Sequence, residues 1–307
     1  MSRVAAVDCG TNSTRLLVMG EDGSEHTRLM RITRLGQGVD ATRKLAPDAV
    51  DRTLEVLTDY RAVIDLAEVR SIRLVATSAT RDAENGDEFL QAASNIIGAP
   101  AELLSGLDEG RLACAGAMLG LSETTHASVV VDIGGGSTEL ALWRDRDVAA
   151  TSLDIGCVRV TERFLHHDPP TGAELQGAAS FVGAALRDGM DIVPGLDAVS
   201  QDGILVGLAG SVTTLAALEL GLDEYDPTVT HHSTLTRAAV GRWCDVLANE
   251  PASARARRRT IVSGREDVIV GGAVILREVM DALGFDACVV SESDILDGIA
   301  LSLLGRR

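Results

Sequence analysis

Two ten-residue stretches of the chain carry the same residue types in the same order. Val7-Asp8-Cys9-Gly10-Thr11-Asn12-Ser13-Thr14-Arg15-Leu16 aligns with Val131-Asp132-Ile133-Gly134-Gly135-Gly136-Ser137-Thr138-Glu139-Leu140, with Val, Asp, Gly, Ser, Thr and Leu in step at an offset of 124 residues. Glycine lets backbone N–H groups approach phosphate oxygens with no Cβ in the way. Ser and Thr add hydroxyl donors, and an Asp at the end of a strand can hold Mg²⁺ or a metal-bound water. Asn12, Ser13, Gly134, Gly135, Gly136, Ser137 and Thr138 are therefore candidates for phosphate binding, and Asp8 and Asp132 for a metal. A single such string reads as an ordinary hairpin. Two in register, one in each half, favour the functional reading.

Other residues of the right type lie between and after these strings. Thr77-Ser78-Ala79-Thr80-Arg81 follows an apolar run, and an Arg offers phosphate a two-pronged fork. A helix cap with a surface ion pair explains Arg81 equally well. Asp108 and Glu109 stand in the first turn of a predicted helix, where acidic residues usually serve the helix dipole; the alternative is a general base for water. Gly210-Ser211 follows the apolar run 204–208 and opens a helical pattern, a third turn able to bind an anion at a helix start. Arg255, Arg257, Arg258, Arg259 and Arg265 form the one dense basic run. It reads equally as a solvated helix face or as the local patch a polyanion needs. The pairs His166-His167 and His231-His232 read as loop residues, the second pair as lining a cleft mouth, because adjacent histidines rarely bind one metal together.

The elements that must position these residues follow from pattern. Each copy of the repeated string has a β-branched run before it and an apolar run after it, which predicts strand, glycine-rich turn, strand. Pro47-Asp48 opens a long helix with Val50, Leu54, Leu57 and Ile64 on one face. Strands are expected at 72–76, 101–104, 148–153 and 288–290, a turn at 154–159, and a closing helix at 295–304. The polar stretch 121–126 precedes the second copy and marks the domain junction, giving domains at 1–124 and 125–307, with the last segment, about 294–307, packing back on the first. Two similar halves facing each other create a cleft, the usual place for a ligand.

Composition limits the function classes. The 307 residues exceed what one core usually serves. Lys and Arg number 28 against 45 Asp and Glu, a net charge of −17, which argues against nucleic-acid and anionic-membrane partners. Aromatic residues are only 3%, too few for a platform on which sugars or bases stack. A polyanionic substrate must then be received by backbone amides, a local basic patch and bound cations. Five widely spaced cysteines with no CxxC pair fit a reducing, cytoplasmic setting. The start resembles a strand more than a signal peptide, and no apolar run has the length of a membrane span.

Taken in order, Val7-Asp8-x-Gly10-x-Asn12-Ser13-x-Arg15-Leu16, Ala76-Thr77-Ser78-Ala79-x-Arg81-x-Ala83-x-Asn85, Ser105-Gly106-x-x-Glu109-x-Arg111, the string Asp132 to Leu140, Gly210-Ser211 and Arg265-x-Asp267-Val268-Ile269-x-x-Gly272-Ala273 resemble the motif set of the exopolyphosphatase/guanosine pentaphosphate phosphohydrolase family. The resemblance covers essentially the whole chain and is closest to the short, two-domain members. It implies an α/β fold of two actin-like, ribonuclease-H-like domains with the site in the cleft between them. It implies that Glu109 is the base, that Asp132 and Glu139 serve the metal and the water, and that Arg81 and Arg265 contact phosphate, with Mg²⁺ (or Mn²⁺) as cofactor and a homodimer as the assembly. The implied activity is removal of the terminal phosphate of inorganic polyphosphate. The alternatives are guanosine pentaphosphate hydrolysis in the stringent response, a kinase of the same fold, and a non-catalytic sensor. The chain departs from the family in two places. Asp108-Glu109-Gly110-Arg111 stands where Glu-Glu-Ala-Arg is common, and Gly110 weakens the helix start by about 1 kcal/mol relative to Ala. Ser293-Asp294-Ile295-Leu296-Asp297-Gly298 stands where Ser-Asp-Gly-x-x-x-Gly is common.

Overall fold

A computed structural model of the chain describes residues 3–121, 127–145 and 147–305. The chain forms two compact units, Met1–Gly116 with Ile295–Arg307, and Ala117–Asp294.

The first unit opens with β1 (Arg3–Cys9), β2 (Ser13–Gly20) and β3 (Glu25–Ile32), an antiparallel meander. After α1 (Val39–Thr42) and α2 (Pro47–Leu66), strand β4 (Ser71–Ala76) pairs parallel with β1. Then come α3 (Ser78–Asp82), α4 (Gly86–Ile97), β5 (Ala101–Leu103), parallel to β4, and α5 (Gly106–Ala117). The sheet order is β3-β2-β1-β4-β5. Val4, Ala5, Ala6 and Val7 are all fully buried, because β1 is central and covered on both faces. One face packs Ala5, Val7, Leu16 and Val18 against Leu57, Tyr60 and Ile64 of α2 and Phe89, Ala93 and Ile97 of α4. The Tyr60 hydroxyl donates to the Thr14 carbonyl at 2.9 Å and pins α2 to the first hairpin.

The second unit repeats the plan. β6 (Ala127–Ile133), β7 (Thr138–Arg144) and β8 (Asp147–Leu153) form its meander. Helices α6 (Cys157–Phe164) and α7 (Gly172–Ile192) lead to β9 (Ile204–Leu208), parallel to β6. Next are α8 (Ala209–Glu219), α9 (Pro227–Thr230), β10 (Thr234–Thr236), α10 (Arg237–Ala248), α11 (Ala252–Arg255), α12 (Ile269–Leu283) and β11 (Ala287–Val290), parallel to β9. The order β8-β7-β6-β9-β11 matches that of the first sheet, with β10 added at the edge. Both units are thus ribonuclease-H-like α/β domains of the actin-like class. The core of the second is built by α7, α8, α10 and α12 on that sheet.

The chain returns to the first unit with α13 (Ile295–Leu303), which packs on β1, β2 and β4. Asp297 is buried and accepts from Arg28 at 2.7 Å, and Ser302 accepts from Arg73 at 2.9 Å. Gly298 sits against the Leu112 carbonyl of α5, where a Cβ would overlap it. The closing segment therefore belongs to the first unit, and these contacts account for its Asp-Gly pair. The junction expected at 121–126 lies, apart from Leu121, outside the described residues. The stretch 154–159, expected as a turn, contains the start of α6. Strand β3 was not expected, since it is half-exposed and charged. Helix α7 was missed despite the Thr171/Glu174 capping box at its start.

Candidate active site

In the first hairpin the register places Asp8 opposite Arg15. Arg15 donates from Nε (3.0 Å) and Nη2 (2.6 Å) to Asp8 Oδ2, so this buried carboxylate already carries a cation. The connecting turn is held from behind by backbone. Gly36 N–H donates to the Thr11 carbonyl (2.8 Å), and Thr33 and Arg34 N–H to the Asn12 carbonyl (3.1 and 3.0 Å). Because a trans peptide points its C=O and N–H in opposite directions, the Asn12 and Ser13 amides face away from that segment.

The second hairpin has the same register but a different partner. Asp132 stands directly opposite Glu139, and both are buried. Paired residues on neighbouring strands share a sheet face, so two acidic residues stand side by side where the first hairpin has an acid and an arginine. Glu139 Oε1 accepts from Ser152 at 2.6 Å, which fixes its orientation. Like charges placed this way are destabilising unless a cation joins them. The Thr138 hydroxyl is committed to the Ile155 carbonyl, so Thr138 serves the turn.

Glu109 and Asp108, indistinguishable by sequence, part company in the structure. Ser105 caps α5: its hydroxyl accepts from Asp108 N–H (3.1 Å) and donates to the Asp108 carboxylate (2.7 Å). Asp108 is thus a capping partner. Glu109, one residue on, is 8% exposed and accepts from Arg81 Nη1 at 2.8 Å. Burial raises the Glu109 pKa above its ordinary value; the Arg81 charge and hydrogen bond and the Thr77 hydroxyl oppose the rise, and the charge on Asp8 adds to it. A buried carboxylate whose affinity for a proton is raised this way is suited to general-base work. Arg81 Nη1 also donates to the Leu104 carbonyl at 2.9 Å. Both bonds use one nitrogen, and the Nε–Nη2 edge of the fork makes no bond among the described residues.

The third turn brings Gly210 and Arg265 together. A Cβ at Gly210 would overlap the Arg265 guanidinium, which lies over the start of α8. Ala209, just before it, has a positive φ of 65°, a strained geometry of the kind that gathers at functional sites. Ser211 is buried, and its side chain lies against Gly272 of α12.

The basic run 255–259 is not one solvated helix face, because Arg255 is buried within it. Arg255 is 3% exposed and donates to the Glu266 (2.6 Å), Leu247 (3.0 Å) and Glu250 carbonyls. Arg258 pairs with Glu250 at 2.6 Å and lies over the Trp243 ring, and Arg259 pairs with Glu224. The run braces α10 and α11 and lends little uncompensated charge. His231 Nδ1 accepts from Glu292 N–H at 3.1 Å, and His167 Nδ1 meets Glu174 at 2.8 Å.

No group of three His, Cys, Asp or Glu residues among the described ones stands ready to hold a metal unaided. The paired carboxylates Asp132 and Glu139 suit Mg²⁺ or Mn²⁺, which take oxygen ligands; Mg²⁺ in particular binds through one or two carboxylates and completes its shell with water and phosphate oxygens. They do not suit zinc. All five cysteines are free and buried. No helix among the described residues is long and apolar enough to cross a membrane.

The chain is 43% identical to Exopolyphosphatase 2 of Mycobacterium tuberculosis, over 99% of both chains. It is 29% identical to the guanosine-5'-triphosphate,3'-diphosphate pyrophosphatase of Vibrio vulnificus, over 98% of this chain and 59% of that one. Among solved structures, an exopolyphosphatase-like protein superposes with a TM-score of 0.93 at 36% identity, each chain covered to 99%. A Ppx/GppA protein of Aquifex aeolicus superposes with a TM-score of 0.80 at 33% identity, covering 99% of this chain and 97% of that one. The model of the Ppx/GppA phosphatase family matches residues 21–307, and the chain belongs to that family.

Proposed function

We propose that this chain is an exopolyphosphatase, a hydrolase that releases the terminal phosphate of inorganic polyphosphate. The observation that carries the reading is the buried Glu109, held by Arg81 and raised in pKa by its surroundings. Its carboxylate accepts the proton of the attacking water. Arg81 offers the open edge of its guanidinium to the charge that spreads over the transferred phosphoryl oxygens. Each unit has donors suited to phosphate: the turn at 10–13 in the first, and the turn at 134–138 and Arg265 over Gly210 in the second. Asp132 and Glu139 would hold Mg²⁺ or Mn²⁺, which when bound neutralises phosphate charge. Apart from that proton transfer, these groups act by positioning and electrostatics, the main means by which phosphoryl transfer is catalysed.

Polyphosphate is favoured over guanosine pentaphosphate for two reasons. The relative named exopolyphosphatase is 43% identical over 99% of this chain, the guanosine-nucleotide relative 29% over 98% of it. Aromatic residues, the usual platform for a base, are 3% of the chain. A homodimer in the cytoplasm completes the proposal; the five free thiols support the compartment. Free-phosphate release in Mg²⁺ from short polyphosphate, long polyphosphate, guanosine pentaphosphate and ATP at equal concentration tests it. Preference for polyphosphate is expected. Preference for guanosine pentaphosphate would move the chain to stringent-response signalling with the same site, and release from none would replace the enzyme reading with a kinase or a sensor.

A further inference from the structure

The turn at 134–137 shows its carbonyl side to the start of α6. Cys157 N–H donates to the Gly134 carbonyl (2.9 Å), and Val158 and Arg159 N–H to the Gly135 carbonyl (2.9 and 3.2 Å). The Gly136 carbonyl is taken by a side chain, Arg159 Nε, at 2.7 Å. Each planar peptide that turns its C=O toward α6 turns the following N–H away from it. Three successive amides, those of Gly135, Gly136 and Ser137, are therefore aligned on the opposite side. Among the described residues no backbone acceptor takes any of them.

Two sequence features make this possible. Gly156 precedes α6, and a Cβ there would overlap the Gly135–Gly136 peptide, so only glycine lets the helix start approach this closely. Arg159 is 7% exposed, and the Asp154 carboxylate 3.9 Å from its Nη2 is 81% exposed. A guanidinium sits directly behind the row of amides, where its charge reinforces theirs toward an anion. The first hairpin makes the comparison. There the carbonyl matching Gly136, that of Asn12, is held by backbone N–H groups of Thr33 and Arg34. In the second hairpin a side chain does this work, so a single substitution can remove it.

We propose that Arg159 is a positioning residue of the phosphate cradle: it holds the Gly136 carbonyl away from the substrate so that the Ser137 amide meets a phosphate oxygen, with Gly156 allowing α6 to do the same for Gly134 and Gly135. The proposal rests on reading 134–138 as a phosphate cradle. The test uses the full ¹⁵N-labelled chain, titrated with imidodiphosphate, a non-hydrolysable pyrophosphate analogue, with the amide resonances of 135–137 followed in wild type, Arg159→Met and Arg159→Lys. Phosphate release from short polyphosphate and thermal melting are measured on the same samples. In wild type all three amides respond. In Arg159→Met the Ser137 response is lost, the imidodiphosphate Kd rises, and kcat/KM falls by about 10- to 100-fold while the protein stays folded at the assay temperature. Arg159→Lys, which keeps the cation but not the Nε–H, falls between and serves where the Met variant does not fold. Wild-type Kd and Ser137 response in either folded variant overturns the proposal, as does activity lost only in step with folded protein. Failure of the wild-type amides to respond would instead remove the cradle reading itself.

Discussion

Replacing Glu109 with Gln changes one atom of the side chain and removes its charge. The amide keeps the volume and an oxygen for Arg81 Nη1, which now donates to Oε2 at 2.8 Å. Two effects on stability oppose each other. The charge-assisted bond is weakened, an effect of about 1.5–3 kcal/mol at most. The burial cost of the carboxylate, which is what raises its pKa, disappears. The melting temperature is therefore expected to stay within a few degrees of wild type. Activity has no such compensation. A positioned general base contributes about 10²- to 10⁴-fold, which corresponds to about 2.7–5.5 kcal/mol of barrier. Glu109→Gln should bind polyphosphate with near wild-type affinity by calorimetry and release phosphate at least about 100-fold more slowly. Turnover within about threefold of wild type, well below the contribution of a general base, would refute the assignment.

Four further outcomes are expected. The acid limb of kcat/KM should lie above the ordinary Glu range, because Glu109 must lose its proton to act and burial raises its pKa; activity then falls as pH drops through the raised value, and a pH–rate profile reads this directly. The same shift makes the folded state hold a proton that the unfolded state has lost, so Glu109's contribution to stability falls as pH rises from the ordinary to the raised value, measurable by urea denaturation of wild type against Glu109→Gln. Gly298→Ala should cost about 1–3 kcal/mol by driving a methyl into the Leu112 carbonyl, and phosphate release should drop with it, since Leu112 lies on the helix that carries Glu109. Arg255→Ala should destabilise by about 3–5 kcal/mol by stripping three backbone carbonyls of their donor, whereas Arg259→Ala, at an exposed pair with Glu224, should change stability by less than about 1 kcal/mol and leave the KM for long polyphosphate unchanged.

What could be read from the sequence was what a local string determines by itself. The ten-residue repeat places the same strand–turn–strand in both halves, and the two sheets follow one strand order. The long helix α2 and the strands near 72–76 and 288–290 are set by their own periodicity. Residues whose meaning depends on a distant partner stayed ambiguous. Asp108 and Glu109 are adjacent acids in one helical turn, and only the reach of Arg81 from another element makes one of them the buried member. The arginine run could not be interpreted because its partners Glu224, Glu250 and Glu266 lie on other segments or across a turn. Helix α6 is eight residues long, too short to show a helical period, and Arg159 gains its role from a carbonyl 23 residues earlier. A signal was present all the same: glycine at the cap, then Arg three residues on, two strands after a glycine-rich turn. The opposite partners of Asp8 and Asp132 were visible as Arg15 and Glu139, but their contrast has meaning only once the register puts each pair face to face.

Removal of terminal phosphates from polyphosphate is read out by ³¹P NMR of a polyphosphate of defined length incubated with the protein and Mg²⁺. Orthophosphate is expected to grow while internal-phosphate signal declines in step and end-group signal persists on progressively shorter chains, with no such change for Glu109→Gln. A rise in end groups without orthophosphate, which signals internal cleavage, or an unchanged spectrum, would contradict it.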